Sequence, residues 1–495
     1  MSWYLKKRIP IMENTFRNPA KVQSEVFYNL IEEAKNTAFG LEYNLGNLQS
    51  INDFQDQVPL FTYDQIKPYI LKAMHGESDV LWPGEITWFA TSSGTTSDKS
   101  KFIPVSYEAL EECHLKGVRD LLAWYYFYNP KAKVFQGKGL IIGGSHSVNE
   151  LSPNSYSGDL SAVLMNNLPF IATQLVTPSR DISLMPNWNE KLTKMIDSTY
   201  QENVTNISGV PTWTLLLLKG ILKKTGAKNI KEVWPNLELY IHGGVNFQPY
   251  KKQFEQLIGS YSMQYRETYN ASEGFLGIQD SDNEDMVLML DYGIFYEFVK
   301  LEELDGANPT SYWIDNVELN VNYAVIISTN AGLWRYVLGD TIMFTSLKPH
   351  RFKITGRTKN FINAFGEELM VENAEKAITI AQDQCNCQVS EFTAGPVYLS
   401  IENKGRHEWA IEFDKEPDNL EHFIDVLDKE LQSCNSDYEA KRQADLALLK
   451  PIVHICRPGT FYKWMNRNDK LGGQHKVPKL SNNRKILEEI IDESK

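Results

Sequence analysis

Cysteine is scarce: five thiols, Cys113, Cys385, Cys387, Cys434 and Cys456, are scattered through 495 residues. Too few and too dispersed for a disulfide framework, they read as reduced thiols. Cys385 and Cys387 have no second ligand pair at zinc-like spacing, and the nine histidines form no metal motif. Positive charge is also short. With 50 Lys and Arg against 63 Asp and Glu the net charge is -13, which excludes a general nucleic-acid partner, although a small anion can still meet a local basic site. Long apolar runs are missing too. No segment approaches a membrane span, and Lys6, Lys7 and Arg8 are not followed by the apolar core of a signal peptide, so the expectation is a cytoplasmic chain without a membrane partner.

What is present is 42% apolar and 12% aromatic residues in a chain longer than one core supports, which predicts two or more folded domains. Helix-like and strand-like patterns alternate without an internal repeat, as in an α/β architecture of mixed order. Residues 85–91, 102–105, 139–142, 263–269 and 323–328 read as strands, being β-branched or aromatic and bounded by Gly, Ser, Asn or Pro. Residues 249–258, opened by Pro249 and stopped by Gly259, and 371–381, with Ala374, Ala377, Ile378 and Ala381 on one face, read as helices. A polar stretch at 355–360 suggests a boundary between domains at 1–357 and 358–495. The tail reads as a small α+β domain, with strands at 397–401, 409–413 and 452–456 and helices at 419–431 and 438–449.

Four segments carry chemistry. Thr91, Ser92, Ser93, Gly94, Thr95, Thr96, Ser97, Asp98, Lys99, Ser100 and Lys101 form a hydroxyl-rich run with a glycine and two lysines between two strands. Such donors suit phosphate, though the spacing is not that of a Walker loop and the same composition suits an ordinary turn. Tyr269, Asn270, Ala271, Ser272, Glu273 and Gly274 place a carboxylate at a tight turn after a strand, where it suits Mg²⁺ or simply a solvated turn. A serine-hydrolase elbow is excluded, because that motif needs glycine at the position of Asn270. Gly339 and Asp340 end a third segment, where an aspartate can accept from ribose hydroxyls or form a common turn. The fourth is the glycine-flanked basic loop Gly472, Gly473, Gln474, His475, Lys476, Val477 and Pro478, which also suits a flexible surface loop.

Together and in this order, these segments resemble the adenylate-forming enzymes, and specifically the auxin-responsive Gretchen Hagen family of acyl acid amido synthetases, over residues 60–485. The resemblance implies a large N-terminal domain with mixed sheets and a small C-terminal domain joined by a hinge, with Lys359 the hinge candidate. It implies ATP and Mg²⁺, adenylation of a carboxylic acid, then transfer of the acyl group to an amino acid amine. Ser92, Ser93, Gly94, Thr95, Thr96 and Lys101 would hold the β- and γ-phosphates, and Glu273 the Mg²⁺. Asp340, with Arg357 assisting, would fix the ribose, while Gly243, Gly244, Tyr269, Asn270, Ala271 and Ser272 would border the nucleotide. Lys476 would stabilise charge as the carboxylate attacks the α-phosphate. Asn270 and Trp334 differ from common family choices, and His242 reads as a hydrogen-bonded structural residue. The nearest rival is an acyl-CoA ligase sharing the first half-reaction. A nucleotide-binding regulator is a third reading, opposed by the presence of Lys476 and Glu273.

Overall fold

The computed structural model describes residues 2–93, 100–143, 149–185, 187–245, 247–260, 262–281, 284–304, 306, 308–358, 361–399, 404–445, 447–468 and 477–495. Its backbone is a mixed twelve-stranded sheet that is antiparallel in one half and parallel in the other. From the antiparallel edge the order is Ser311–Trp313, Ile294–Lys300, Asn322–Thr329, Tyr336–Leu347, His350–Arg357, Met286–Leu288, Gly274–Ile278 and Gln264–Ala271. Leu239–His242, Val204–Gly209, Lys138–Ile142 and Val176–Thr177 then continue it in parallel. Residues 204–207 are buried without alternation, as expected where helices cover both faces of a parallel sheet. A second sheet of four strands carries the hairpin Trp88–Ser93 and Ser100–Val105 beside Ser155–Asp159 and Asn149–Ser152.

Sequence punctuation explains the helices that frame the site. Pro211–Thr225 starts with proline in its first turn and stops at Gly226, and Gln248–Ile258 stops at Gly259, both glycines being left-handed caps. Val371–Cys385 buries Ala374, Ala377, Ile378 and Ala381, the face read from the sequence.

Beyond the great sheet lies a three-stranded one, Gln388–Val397, Gly405–Lys415 and Leu448–Cys456. Its alternation decides what packs where: Trp409, Ile411 and Phe413 join Trp213, Trp234 and Tyr240 of the larger part in one apolar cluster. Ala410 faces a separate small cluster with Phe461, Trp464, Val477 and Leu487.

Two expectations for the tail are corrected. The strand expected at 397–401 does not begin there: Gln388–Val397 ends at Val397, where its ladder against Gly405–Lys415 closes opposite Arg406, and residues 400 and 401 lie outside the described residues. The apolar residues that follow dock on helix Gln248–Ile258 instead, with Leu399 buried and its carbonyl accepting from Gln253 Nε2 at 2.7 Å. Residues 438–449 are not one helix. Helix Ser436–Arg442 gives way to a 3₁₀ turn at Gln443–Asp445, where Asp445 is left-handed, and Leu448 enters the parallel ladder opposite Gly405.

Candidate functional site

The site gathers where the parallel strands end, the usual place for a ligand crevice in such sheets. Leu239–His242 runs into Gly243 and Gly244. A side chain at 243 would press a Cβ to 2.4 Å from the Thr268 carbonyl oxygen, so the close approach of these two backbones depends on glycine. His242 is buried and stacked 4.1 Å from Phe247, and burial lowers it to about 3. Its Nδ1 has no partner among the described residues, so packing rather than a bond at that nitrogen holds the ring.

Two hairpins aim at this end. In the first, Ser92 pairs with Lys101 and Ser93 with Ser100, so the hydroxyl run is the loop of a β-hairpin. Gly94, Thr95 and Thr96 lie outside the described residues. Lys101 Nζ rests 5.7 Å from the Tyr63 ring centroid, and the Tyr63 hydroxyl accepts from the Phe102 amide at 2.9 Å. In the second hairpin Ala271 pairs with Gly274, leaving Ser272 and Glu273 as a two-residue tip. Gly274 packs closely there: an added Cβ would meet Ile294 Cδ1 at 2.5 Å and require that side chain to shift. Asn270 accepts at Oδ1 from His114 Nδ1 at 3.0 Å, so this side chain is tied toward the helical segment rather than left free at the strand end.

Across the sheet, Asp340 and Arg357 are cross-strand partners. Arg357 Nε lies 2.9 Å from Asp340 Oδ1, the Tyr269 hydroxyl donates to Asp340 Oδ2, and Arg357 Nη2 lies 3.2 Å from Glu368. Although burial opposes its charge, Glu368 and Asp340 hold the guanidinium firmly protonated. Glu273 belongs to the same electrostatic cluster. Half-buried, its carboxyl is pushed up to about 7 by desolvation; Lys101 pulls it down, while Glu368 and Asp340 add to the rise.

Residues 358–495 complete one wall. Asn363 Nδ2 donates to the Gly244 carbonyl at 2.8 Å, Ser100 Oγ to Ser436 Oγ at 3.0 Å, and Asn435 Nδ2 to the Glu368 carbonyl at 3.1 Å. Lys359 and Lys476 lie outside the described residues. Just after Lys476, Val477 is buried in the small cluster, Pro478 accepts from Thr393 Oγ1 at 2.7 Å, and Leu480 bridges Ala394. That segment is therefore anchored on the three-stranded sheet.

Ser92, Lys101, Glu273, Tyr269, Asp340, Arg357, Gly243 and Gly244 are thus brought to one end of the molecule. Trp334 is not; its ring is fully buried and its Nε1 donates to the Leu81 carbonyl at 3.1 Å, on the side of the N-terminal helices. Two residues were missed from sequence. Glu368 closes on Arg357 from beyond the boundary, and its place two residues after Gly366 was the available signal. Tyr336 is buried beside Glu273, and its hydroxyl has no partner among the described residues. Among the described residues no His, Cys, Asp and Glu cluster forms a metal nest, and no helix is long and apolar enough to cross a membrane.

Comparison with known proteins bears on all three segments. Residues 8–263 match the GH3 family N-terminal domain, 287–357 the GH3 family central domain and 372–485 the GH3 family C-terminal domain. Jasmonoyl--L-amino acid synthetase GH3.5 of Oryza sativa subsp. japonica is 24% identical, covering 95% of this chain and 94% of its own. Indole-3-acetic acid-amido synthetase GH3.4 of Arabidopsis thaliana is likewise 24% identical, over 96% and 91%. Among solved structures, AtGH3.15 acyl acid amido synthetase in complex with 2,4-DB superposes with a TM-score of 0.64 at 18% identity, covering 100% of this chain and 97% of that one.

Proposed function

The chain belongs to the GH3 family, and on that premise we propose that it joins a carboxylic acid to an amino acid through an acyl-adenylate. In the first step a carboxylate oxygen attacks the α-phosphorus of ATP and pyrophosphate leaves. In the second the amine attacks the acyl carbonyl, AMP leaves and the amine loses a proton. The observation that carries this reading is the convergence of the Lys101 hairpin, the Glu273 tip and the Asp340, Arg357 and Tyr269 corner at one sheet end.

In this reading the loop from Ser92 to Thr96, with Lys101, cradles the β- and γ-phosphates through backbone amides and hydroxyls. Asp340 receives the ribose. Each of its carboxylate oxygens already takes one donor, from Arg357 and from Tyr269, and a second lone pair on each remains for a hydroxyl. Tyr269, Ala271, Gly243 and Gly244 border the adenine, and Asn270 contributes through its backbone. For Mg²⁺ this end offers the Glu273 carboxylate, pushed up to about 7 chiefly by desolvation, and an ion that keeps phosphate oxygens and water at its other positions needs no nest of protein ligands. Held by Glu273, Mg²⁺ supplies neutralisation of the triphosphate.

Residues 358–495 act as a mobile unit turning about Lys359. Adenylation needs Lys476 at the α-phosphate, a fixed cation where negative charge grows. The face docked here bears Asn363, Glu368 and Ser436, and the acceptor step is assigned to it. Both relatives' names specify amide products while their acids differ, so the acceptor class transfers to this chain and the acid does not. Five cysteines, none in a disulfide, suit the cytoplasm.

The deciding experiment incubates the protein with ATP, Mg²⁺ and pooled carboxylic acids, adds amino acids or CoA, and identifies products by mass. An amide is expected. A thioester would make the chain an acyl-CoA ligase, and no acid-dependent pyrophosphate release would leave a nucleotide-binding regulator.

A further inference from the structure

Helix Ser436–Arg442 ends in two adjacent cations with opposite circumstances. Arg442 is paired, with Nη2 2.6 Å from Asp428 Oδ2 and Nη1 3.0 Å from the Leu448 carbonyl. Lys441 is 8% exposed, yet its ammonium makes no hydrogen bond or ion pair among the described residues and lies only over the Trp213 ring, 5.0 Å from the centroid. A nearly buried cation without a counter-charge is costly unless an anion visits it.

What surrounds it suits an anion. Trp213 is in the first turn of helix Pro211–Thr225, which follows the parallel strand Val204–Gly209 and has no side-chain cap at Val210. Thr212 and Trp213 are buried, and neither amide has an acceptor among the described residues. These free N–H groups and the helix dipole add to the charge of Lys441. Gly366, left-handed at φ +84, lies between the two: a Cβ there would be in ordinary contact with both, 3.4 Å from Lys441 Cε, 3.7 Å from its Nζ and 3.8 Å from Val210 Cγ1, which places the ammonium beside the start of that helix. The pocket thus has its floor in the large sheet's helix and its roof in residues 363–368 and Lys441. It exists only while the small unit is docked by this face.

We propose that Lys441 and the first turn of helix Pro211–Thr225 bind the α-carboxylate of the amino-acid acceptor. The inference rests on the acid-activation reading above and gives its second step a recognition site. The nucleotide has its own cations in Lys101 and Arg357. An anion pocket assembled across the seam, apart from those two cations, is left for the substrate that the nucleotide does not occupy, the acceptor. Requiring a carboxylate there also orients the acceptor, leaving its amine to point at the acyl carbonyl.

The test uses the full chain, Lys441→Met and Lys441→Arg. Acid-dependent ATP–pyrophosphate exchange, which needs no acceptor, is measured first. Amide formation follows with the best of the proteinogenic amino acids and with the α-carboxamide of that same amino acid. Loss of a charge-assisted contact should raise the amino-acid KM about tenfold or more in Lys441→Met, leave the ATP KM within about twofold, and erase the preference for carboxylate over carboxamide. Lys441→Arg should retain most of that preference. An unchanged amino-acid KM overturns the proposal, as does a rise confined to the ATP KM, which would assign Lys441 to phosphate. Wild-type protein that takes the carboxamide as readily as the amino acid overturns it without any variant. Absence of exchange strikes the activation reading itself, whereas exchange with no amide from any amino acid strikes only the acceptor assignment.

Discussion

The Asp340 corner and the Lys441 seam stand at the same end of the sheet but are built in opposite ways. At the corner every charge meets a partner within the fold: Asp340 takes Arg357 and Tyr269, and Arg357 also takes Glu368. At the seam Lys441 meets an aromatic face and no carboxylate. The first is preorganised mainly by ladder register, since Asp340 and Arg357 are opposed across two strands; the second is assembled by docking two parts of the chain. A preorganised corner suits a ligand common to both half-reactions. An assembled seam suits a ligand needed in only one of them.

That contrast can be broken most forcefully at Lys476. Lys476→Ala should reduce acid-dependent pyrophosphate exchange by a factor of about 10²–10³, the size of losing one transition-state charge contact, while amide formation from supplied acyl-AMP persists. Equal loss in both assays would mean that the two halves are not separable. Next is Glu273→Gln, which should lower exchange by a smaller factor and remove its Mg²⁺ dependence. With the carboxyl raised from 4.5 to about 7, wild-type exchange should fall as pH drops through about 7, and saturating Mg²⁺ should move the fall lower. In the unliganded protein the sign reverses: the folded state holds this proton more tightly than the unfolded one, so stability drops as pH rises from 4.5 through about 7. Glu273→Gln should therefore melt later than wild type above pH 7, by on the order of 1 kcal/mol after solvent screening of a half-buried group. Asp340→Asn weakens charge-assisted bonds worth ~1.5–3 kcal/mol each, so the KM for ATP in exchange and the KM for supplied acyl-AMP in amide formation should each rise roughly ten- to hundredfold. A change confined to one of them would mean that the corner is not shared.

The parts of this site legible in sequence are those fixed by local backbone chemistry. Glu273 could be placed at a tight turn because Gly274 follows it and a strand precedes it, and the hydroxyl run could be placed between strands because aromatic and β-branched residues flank it. Helix Val371–Cys385 showed its alanine face at the right period. Contacts that depend on long-range packing were not legible. No spacing brings Glu368 to Arg357 or Lys441 to Trp213, and both meetings depend on how residues beyond 357 fold back. Residues 447–449 failed for a related reason: a short apolar run suits helix or buried strand equally, and only the parallel ladder with Gly405–Lys415 decides. His114 drawing Asn270 aside is another pairing across distant segments.

The smallest expected effect gives the sharpest test of which step this docked arrangement serves. Ser436→Ala removes the bond that Ser100 donates across the seam, a neutral contact worth ~0.5–1.5 kcal/mol, while Asn435 still caps the helix through the Tyr438 amide at 2.7 Å. The variant should therefore shift the docking equilibrium without unfolding the small unit. If docking by this face serves the acceptor step, amide formation from supplied acyl-AMP should slow by roughly two- to tenfold. Exchange should hold or quicken slightly, because a less occupied docked state frees the unit to present Lys476. The opposite pattern, slower exchange with amide formation intact, would assign the docked face to adenylation. It would also return Lys441 to the phosphates, since the seam would then be built around the triphosphate.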